Sequence, residues 1–132
     1  MTKVFLGGTC AESTWREELI PLLQVNYYNP VVADWTPECQ EVEIYQKDEV
    51  CGVHFYAISK EMTGVFSIAE VIESSMTKSK IVILQVLPDG FSMVQLKSLK
   101  AVCSMVQRHG GIAYIDDDLH RAARILNNCF KE

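Results

Sequence analysis

The sequence predicts a doubly wound α/β domain: a five-stranded parallel sheet, ordered 2-1-3-4-5, with helices on both faces. Two observations carry this. Short apolar, β-branched runs alternate with segments of helical period along all 132 residues, as in successive strand–helix–strand units. Those runs are apolar at nearly every position, which suits strands buried on both faces. Right-handed crossovers then leave few topologies, and this strand order is the simplest.

The elements follow in order. "KVFLGG" places a strand over Lys3–Leu6, closed by two glycines. In "STWREELIPLL", Thr14 and Glu17 stand in a capping-box relation, and Trp15, Leu19, Leu22 and Leu23 share a helical face. Pro21 should kink that helix or end its regular part. "VNYYNPVV" is a second strand ending at Asn29-Pro30. Thr36 suits an N-cap and Pro37 the first helical position, so a helix is expected from there to about Val50. "VHFYAI" is the third strand, and "GVFSIAEVIESSMT" a helix with Ile68, Ile72 and Ser75 inward. "KIVILQVL" is the clearest buried strand. It leads to a helix with Leu96, Leu99, Cys103 and Val106 inward, closed by Gly110 and Gly111. "IAYI" is the fifth strand, and the last helix turns Leu119, Ala122, Ala123, Leu126 and Phe130 inward. The arrangement is flavodoxin-like, but it lacks the paired acids after strand 1 that a response regulator needs.

Composition bounds the partners. The chain is 48% hydrophobic and 22% charged, with a formal charge of −5 and no basic stripe, so a nucleic-acid polymer is not an expected partner. No run approaches the ~18 apolar residues of a membrane span, and "MTKVFLGG" reads as a strand rather than a signal peptide. The five cysteines, Cys10, Cys39, Cys51, Cys103 and Cys129, form no C-x-x-C pair, which points to a reduced, cytoplasmic protein of one domain.

In the expected sheet the strand order reverses between strands 1 and 3, and ligands bind beside such a reversal, at the carboxyl ends of the strands. This brings "GGTC" and "SKEMTG" to one crevice, with Glu70 above it. Gly7 and Gly8 let the backbone approach a ligand and Thr9 adds a hydroxyl; the loop is neither G-x-G-x-x-G nor a Walker loop. Glu70 has two readings: a solvated acid favoured by the helix dipole, or a carboxylate held over the crevice. Its neighbours Ile68, Ala69, Val71 and Ile72 stand for the second, and Glu73 fits the exposed role better. His54 reads as a satisfied core histidine and His109 as a charge suited to a helix C-terminus. No Cys/His cluster marks a metal site, and the Asp116–Asp118 run is explained by Asp118 as an N-cap. Cys10 has no evident base, and Trp15 and Trp35 fit either stacking on a base or packing under a loop.

Together "KVFLGGT", "YNPVVADW", "VHFYAI", "MTGVFSIAEV" and "KIVILQVL" resemble the nucleoside 2-deoxyribosyltransferase family, in particular its small phage-type branch. The resemblance implies retaining transfer at the anomeric carbon of a 2-deoxynucleoside or its monophosphate. Glu70 takes the place of the nucleophile. Gly7, Gly8 and Thr9 line the sugar or phosphate side; Thr63, Gly64 and Ser67 lie near the sugar. Asn29, Asp34 and Trp35 are candidates for base recognition, with Asp48 or Glu43 in the place of the family's nucleobase-binding acid. It implies no metal or organic cofactor, and a homo-oligomer. The chain departs from the family at Phe5, where a tyrosine orients the nucleophile, at Gly52 and Gly64, where aspartates stand, and in reading Glu70-Val71-Ile72 for Glu-Leu-Gly. A protein that binds or sequesters a nucleotide without chemistry is therefore the alternative expectation.

Overall fold

The computed structural model describes residues 3–10, 12–32 and 36–129. The sheet contains β1 (Lys3–Gly8), β2 (Asn26–Tyr28), β3 (Val53–Ile58), β4 (Ile81–Val86) and β5 (Ile112–Ile115). It is five-stranded, ordered β2-β1-β3-β4-β5, with every pairing parallel. The helices are α1 (Trp15–Leu19), α2 (Pro37–Tyr45), α3 (Phe66–Ser75), α4 (Met93–Arg108) and α5 (Leu119–Asn128). This is the flavodoxin-like α/β arrangement.

Both faces of the sheet are covered, and successive strand residues divide between them. Val4, Leu6, Val53, Phe55 and Ile83 pack with Trp15 and Leu19 of α1 and with Leu119, Ala122, Ala123 and Leu126 of α5. Phe5, Tyr56, Ile58, Val82 and Leu84 pack on the other side with Val71 of α3 and with Leu99, Cys103 and Val106 of α4. Phe130 lies outside the described residues.

The local signals are met with three corrections. Pro21 does end the regular part of α1, which passes at Ile20–Leu22 into a 3-10 turn. Thr36 caps α2, accepting from the Cys39 amide at 3.2 Å, and Asp118 caps α5, accepting from the His120 amide at 2.9 Å. The expected capping box at Thr14 does not form: the hydroxyl donates instead to Glu18, at 3.3 Å. α2 does not run as one helix to Val50. It gives way after Tyr45 to a wide, π-helical turn over Gln46–Val50. The third correction bears on function. α3 buries Glu70, Val71 and Ser74 along with the expected Ser75, while the expected Ile68 and Ile72 are half-buried, packed against the edge of that core. Half of the helix's residues are polar, and Glu70 and Ser74 are buried because β3 and the turn after α2 offer them partners.

Candidate functional site

β1 ends beside β3, with Gly7 opposite Tyr56 and Gly8 opposite Ala57. Close approach demands both glycines. A Cβ on Gly7 would lie 2.5 Å from the Tyr56 ring, and one on Gly8, whose φ is +110°, would run into the Ala57 carbonyl. Thr9 then locks the two strand ends together. Its amide donates to the Ala57 carbonyl at 2.9 Å, and its hydroxyl accepts from the Ser59 amide at 3.1 Å. Its carbonyl accepts from the Trp15 indole at 2.9 Å and from Arg16 Nη1 at 2.8 Å. Arg16 is buried and also holds the Leu6 carbonyl, through Nε at 3.1 Å and Nη2 at 2.9 Å. Its guanidinium lies over the Trp15 ring, 4.3 Å from the centroid. Burial lowers the Arg16 pKa, and nearby Cys10, Glu43 and Glu70 oppose that.

These elements frame a cavity of about 500 Å³ where the strand order reverses. That is ample for a nucleoside-sized ligand. Gly7, Gly8, Thr9, Thr63, Gly64, Ser67 and Glu70 all line it, so the two loops and α3 do converge on one crevice. A larger space, about 850 Å³, runs along the outer side of α3 past Val65, Ile68, Ala69, Ile72 and Met76. Its polar lining is Glu73 and Thr77, whereas the smaller cavity gathers Thr9, Arg16, Glu43, Thr63, Ser67 and Glu70.

Glu70 is 8% exposed. Lys47, from the π-helical turn, is equally buried and places Nζ 3.2 Å from Glu70 Oε2; it also lies 3.8 Å from Glu73 Oε1. Among the described residues none hydrogen-bonds the other oxygen, Oε1. Burial raises the Glu70 pKa above the ordinary carboxylate value. The ammonium of Lys47 pulls it back, Glu73 raises it, and Arg16 lowers it. Glu43, half-buried on α2, lines the same cavity. Its pKa is raised too, first by burial and then by the charge of Glu70.

Behind the carboxylate lies a chain of polar groups. His54 Nε2 is 2.7 Å from the Lys47 carbonyl, and Nδ1 is 2.8 Å from Ser74 Oγ. The Tyr56 hydroxyl is 2.7 Å from the same Oγ. Burial pushes the His54 pKa down to about 4, so the ring is neutral. A carbonyl only accepts, so Nε2 carries the proton, Nδ1 accepts from Ser74, and Ser74 accepts from Tyr56.

The remaining expected site residues lie elsewhere. Asn29 does not line the cavity; its side chain accepts from the Val31 amide at 3.1 Å, shaping a loop whose next residues, Pro30, Val31 and Val32, do line it. Asp48 is exposed and off the cavity, and its carbonyl accepts from Lys80 at 2.6 Å; Glu43 is the acid of that region that reaches the site. Trp15 is 2% exposed and packs edge-on against Phe55, so it offers no stacking face. Asp34 and Trp35 lie outside the described residues. Arg16 and Lys47 went unanticipated in the sequence. For Lys47 a signal existed: it stands four residues after Glu43, on the same helical side. Among the described residues no cluster of three or more His, Cys, Asp or Glu could hold a metal ion, and no helix is long and apolar enough to cross a membrane.

Fold and site define a flavodoxin-like α/β protein whose pocket, at the sheet's reversal, carries the buried carboxylate of Glu70 and the half-buried one of Glu43. The chain belongs to the nucleoside 2-deoxyribosyltransferase-like family, whose model matches residues 1–86, the span from β1 to the end of β4 that contains every residue lining the cavity. No curated protein and no solved structure gives a significant match.

Proposed function

We propose that the protein catalyses N-glycosyl transfer or hydrolysis on a 2-deoxynucleoside or its monophosphate, with Glu70 as nucleophile. The observation that carries this reading is a buried carboxylate with one oxygen held by Lys47 and the other without a partner among the described residues, in the cavity that Gly7 and Gly8 line. Glu70 Oε1 attacks C1′ as the bond to the base nitrogen breaks and its electron pair leaves with the base. Two displacements replace one difficult step, and the carboxylate stabilises the oxocarbenium-like transition state. The departing base needs a proton. Glu43, whose raised pKa favours the protonated form, supplies it and takes one back from the incoming water or second base. Water or that base then attacks C1′ and releases Glu70. Neither metal nor organic cofactor is needed for these steps.

A nucleotide-binding or sequestering protein without chemistry is the second reading. Phe5 favours it, since on β1 it presents a hydrocarbon ring, 6.2 Å from that of Tyr56, where the family resemblance calls for a tyrosine hydroxyl. We further propose that the chain self-associates through the outer side of α3, where Val65 and Met76 are exposed beside Ile68 and Ile72. Incubation with deoxynucleosides and a free base, followed by chromatography, separates the two readings. Transfer gives a new nucleoside, hydrolysis gives free base, and Glu70→Gln abolishes either. Absence of product, together with a ligand-induced rise in melting temperature, replaces the first reading with the second.

A further inference from the structure

We infer that Lys47 is the positioning residue of this site: clamped at both backbone and side chain, it keeps Glu70 anionic and dictates which carboxylate oxygen is presented to the cavity. The inference rests on the proposed role of Glu70, and extends it to how that acid is controlled.

The clamp is visible bond by bond. α3 projects Glu70 and Ser74, four residues apart, from one face. Glu70 takes the side chain of Lys47 at 3.2 Å, and Ser74, through His54, takes its backbone carbonyl. Tyr56 completes the chain from β3. The turn bearing Lys47 is tied down along its length. Lys3 Nζ donates to Gln46 Oε1 at 2.8 Å, and Lys80 Nζ donates to the carbonyls of Asp48 at 2.6 Å and Cys51 at 3.0 Å. The π-helical turn lies between the end of α2 and β3, and it turns one ammonium, that of Lys47, inward. A long, flexible lysine needs such anchoring, because rotamer freedom otherwise opposes a fixed contact.

The charges around Glu70 explain why the cation matters. Glu43 of α2, Glu73 of its own helix and Arg16 of α1 all face it, and the Tyr56 hydroxyl of β3 lies nearby. Arg16 donates to the carbonyls of Leu6, Thr9 and Gly8, so its hydrogen bonds are spent on the β1 loop. Lys47 is therefore the cation that contacts the carboxylate directly. Without it, a buried acid beside two other carboxylates would take up a proton and lose the lone pair needed for attack.

The test is a carbon-13 titration of glutamate side-chain carboxyls, with Glu70 assigned by the signal missing in Glu70→Gln. In Lys47→Met the Glu70 midpoint is expected to rise by about one pH unit or more, and in Lys47→Arg by less than about half a unit. The acidic limb of the kcat/KM profile should move by the same amount. If Lys47→Met does not fold, the Lys47 ammonium is followed in the unsubstituted protein by nitrogen-15 NMR. It should exchange slowly and shift with the Glu70 midpoint. An unmoved midpoint in Lys47→Met, or an ammonium that does not sense Glu70, overturns the inference. The two proposals fail separately: a moved midpoint without glycosyl exchange sinks the chemistry and keeps the clamp, whereas exchange with an unmoved midpoint does the reverse.

Discussion

Helix α5 turns Leu119, Ala122, Ala123 and Leu126 to the sheet, whereas α3, of the same ten-residue length, turns Glu70, Val71, Ser74 and Ser75. Their caps differ as well. Asp118 closes the first turn of α5, while Val65, at the start of α3, makes no side-chain cap. Helix α5 is held by burial and capping, with His120, Arg124 and Asn128 exposed and Arg121 and Asn127 half-buried at its edges. On α3 the apolar residues Val65, Phe66 and Met76 are exposed and polar ones are buried, which is the costlier arrangement unless every buried group is paired. They are nearly all paired: among the described residues no fully buried side-chain nitrogen or oxygen lacks a partner, and Glu70 Oε1, which has none, keeps some solvent access. One helix is therefore held mainly by apolar burial, and the other by polar pairing beside a cavity.

That division can be broken experimentally. The largest effect is expected from Glu70→Gln, which should lower glycosyl exchange by roughly three orders of magnitude, about 4 kcal/mol of transition-state stabilisation, while circular dichroism shows the fold retained. Near-normal turnover would remove α3 from the chemistry. Leu126→Ala should do the opposite, costing about 3 kcal/mol in urea unfolding without altering the kinetics of the protein that remains folded.

The pH dependence of stability sharpens the contrast. The His54 pKa falls from 6.5 to about 4 on folding, so between those values the unfolded chain binds the proton first. Stability should drop as pH falls through that window, by roughly 3 kcal/mol in all. His54→Gln should flatten this limb when melts are compared across it. Glu43 and Glu70 have raised pKa values, so their contribution runs the other way and declines as pH rises above the ordinary carboxylate range. Comparison of His54→Gln with the unsubstituted protein cancels it. The smallest expected effect is at the caps: Asp118→Ala should cost about 1 kcal/mol, and Val65→Ala, at an exposed and uncapped start, almost nothing.

Much of the fold was legible because burial of apolar strands and one helical face writes a period into the chain. The sheet order, the boundaries of β3, the inward face of α5, the break at Pro21 and the caps at Thr36 and Asp118 all follow from such local chemistry. The convergence of Gly7, Gly8, Thr9, Thr63, Gly64, Ser67 and Glu70 was legible for a related reason, since a reversal in strand order gathers particular loops. The face of α3 was legible only in part: Ser75 turns inward as expected, whereas Ile68 and Ile72 are half-buried and Ser74 is buried beside Ser75. Hydrophobic period reports which residues water rejects, and it is silent about which polar residue will find a partner.

By itself, then, the sequence determined the alternation of elements, the glycine-bearing strand end and an acid one turn into α3. Only the tertiary structure decided that this acid is buried, that Lys47 meets it from 23 residues away, and that His54 reaches Ser74 across 20. The reason is physical: local pattern records the free energy of leaving water, whereas pairing energies between distant groups exist only once the chain has brought them within a few ångströms.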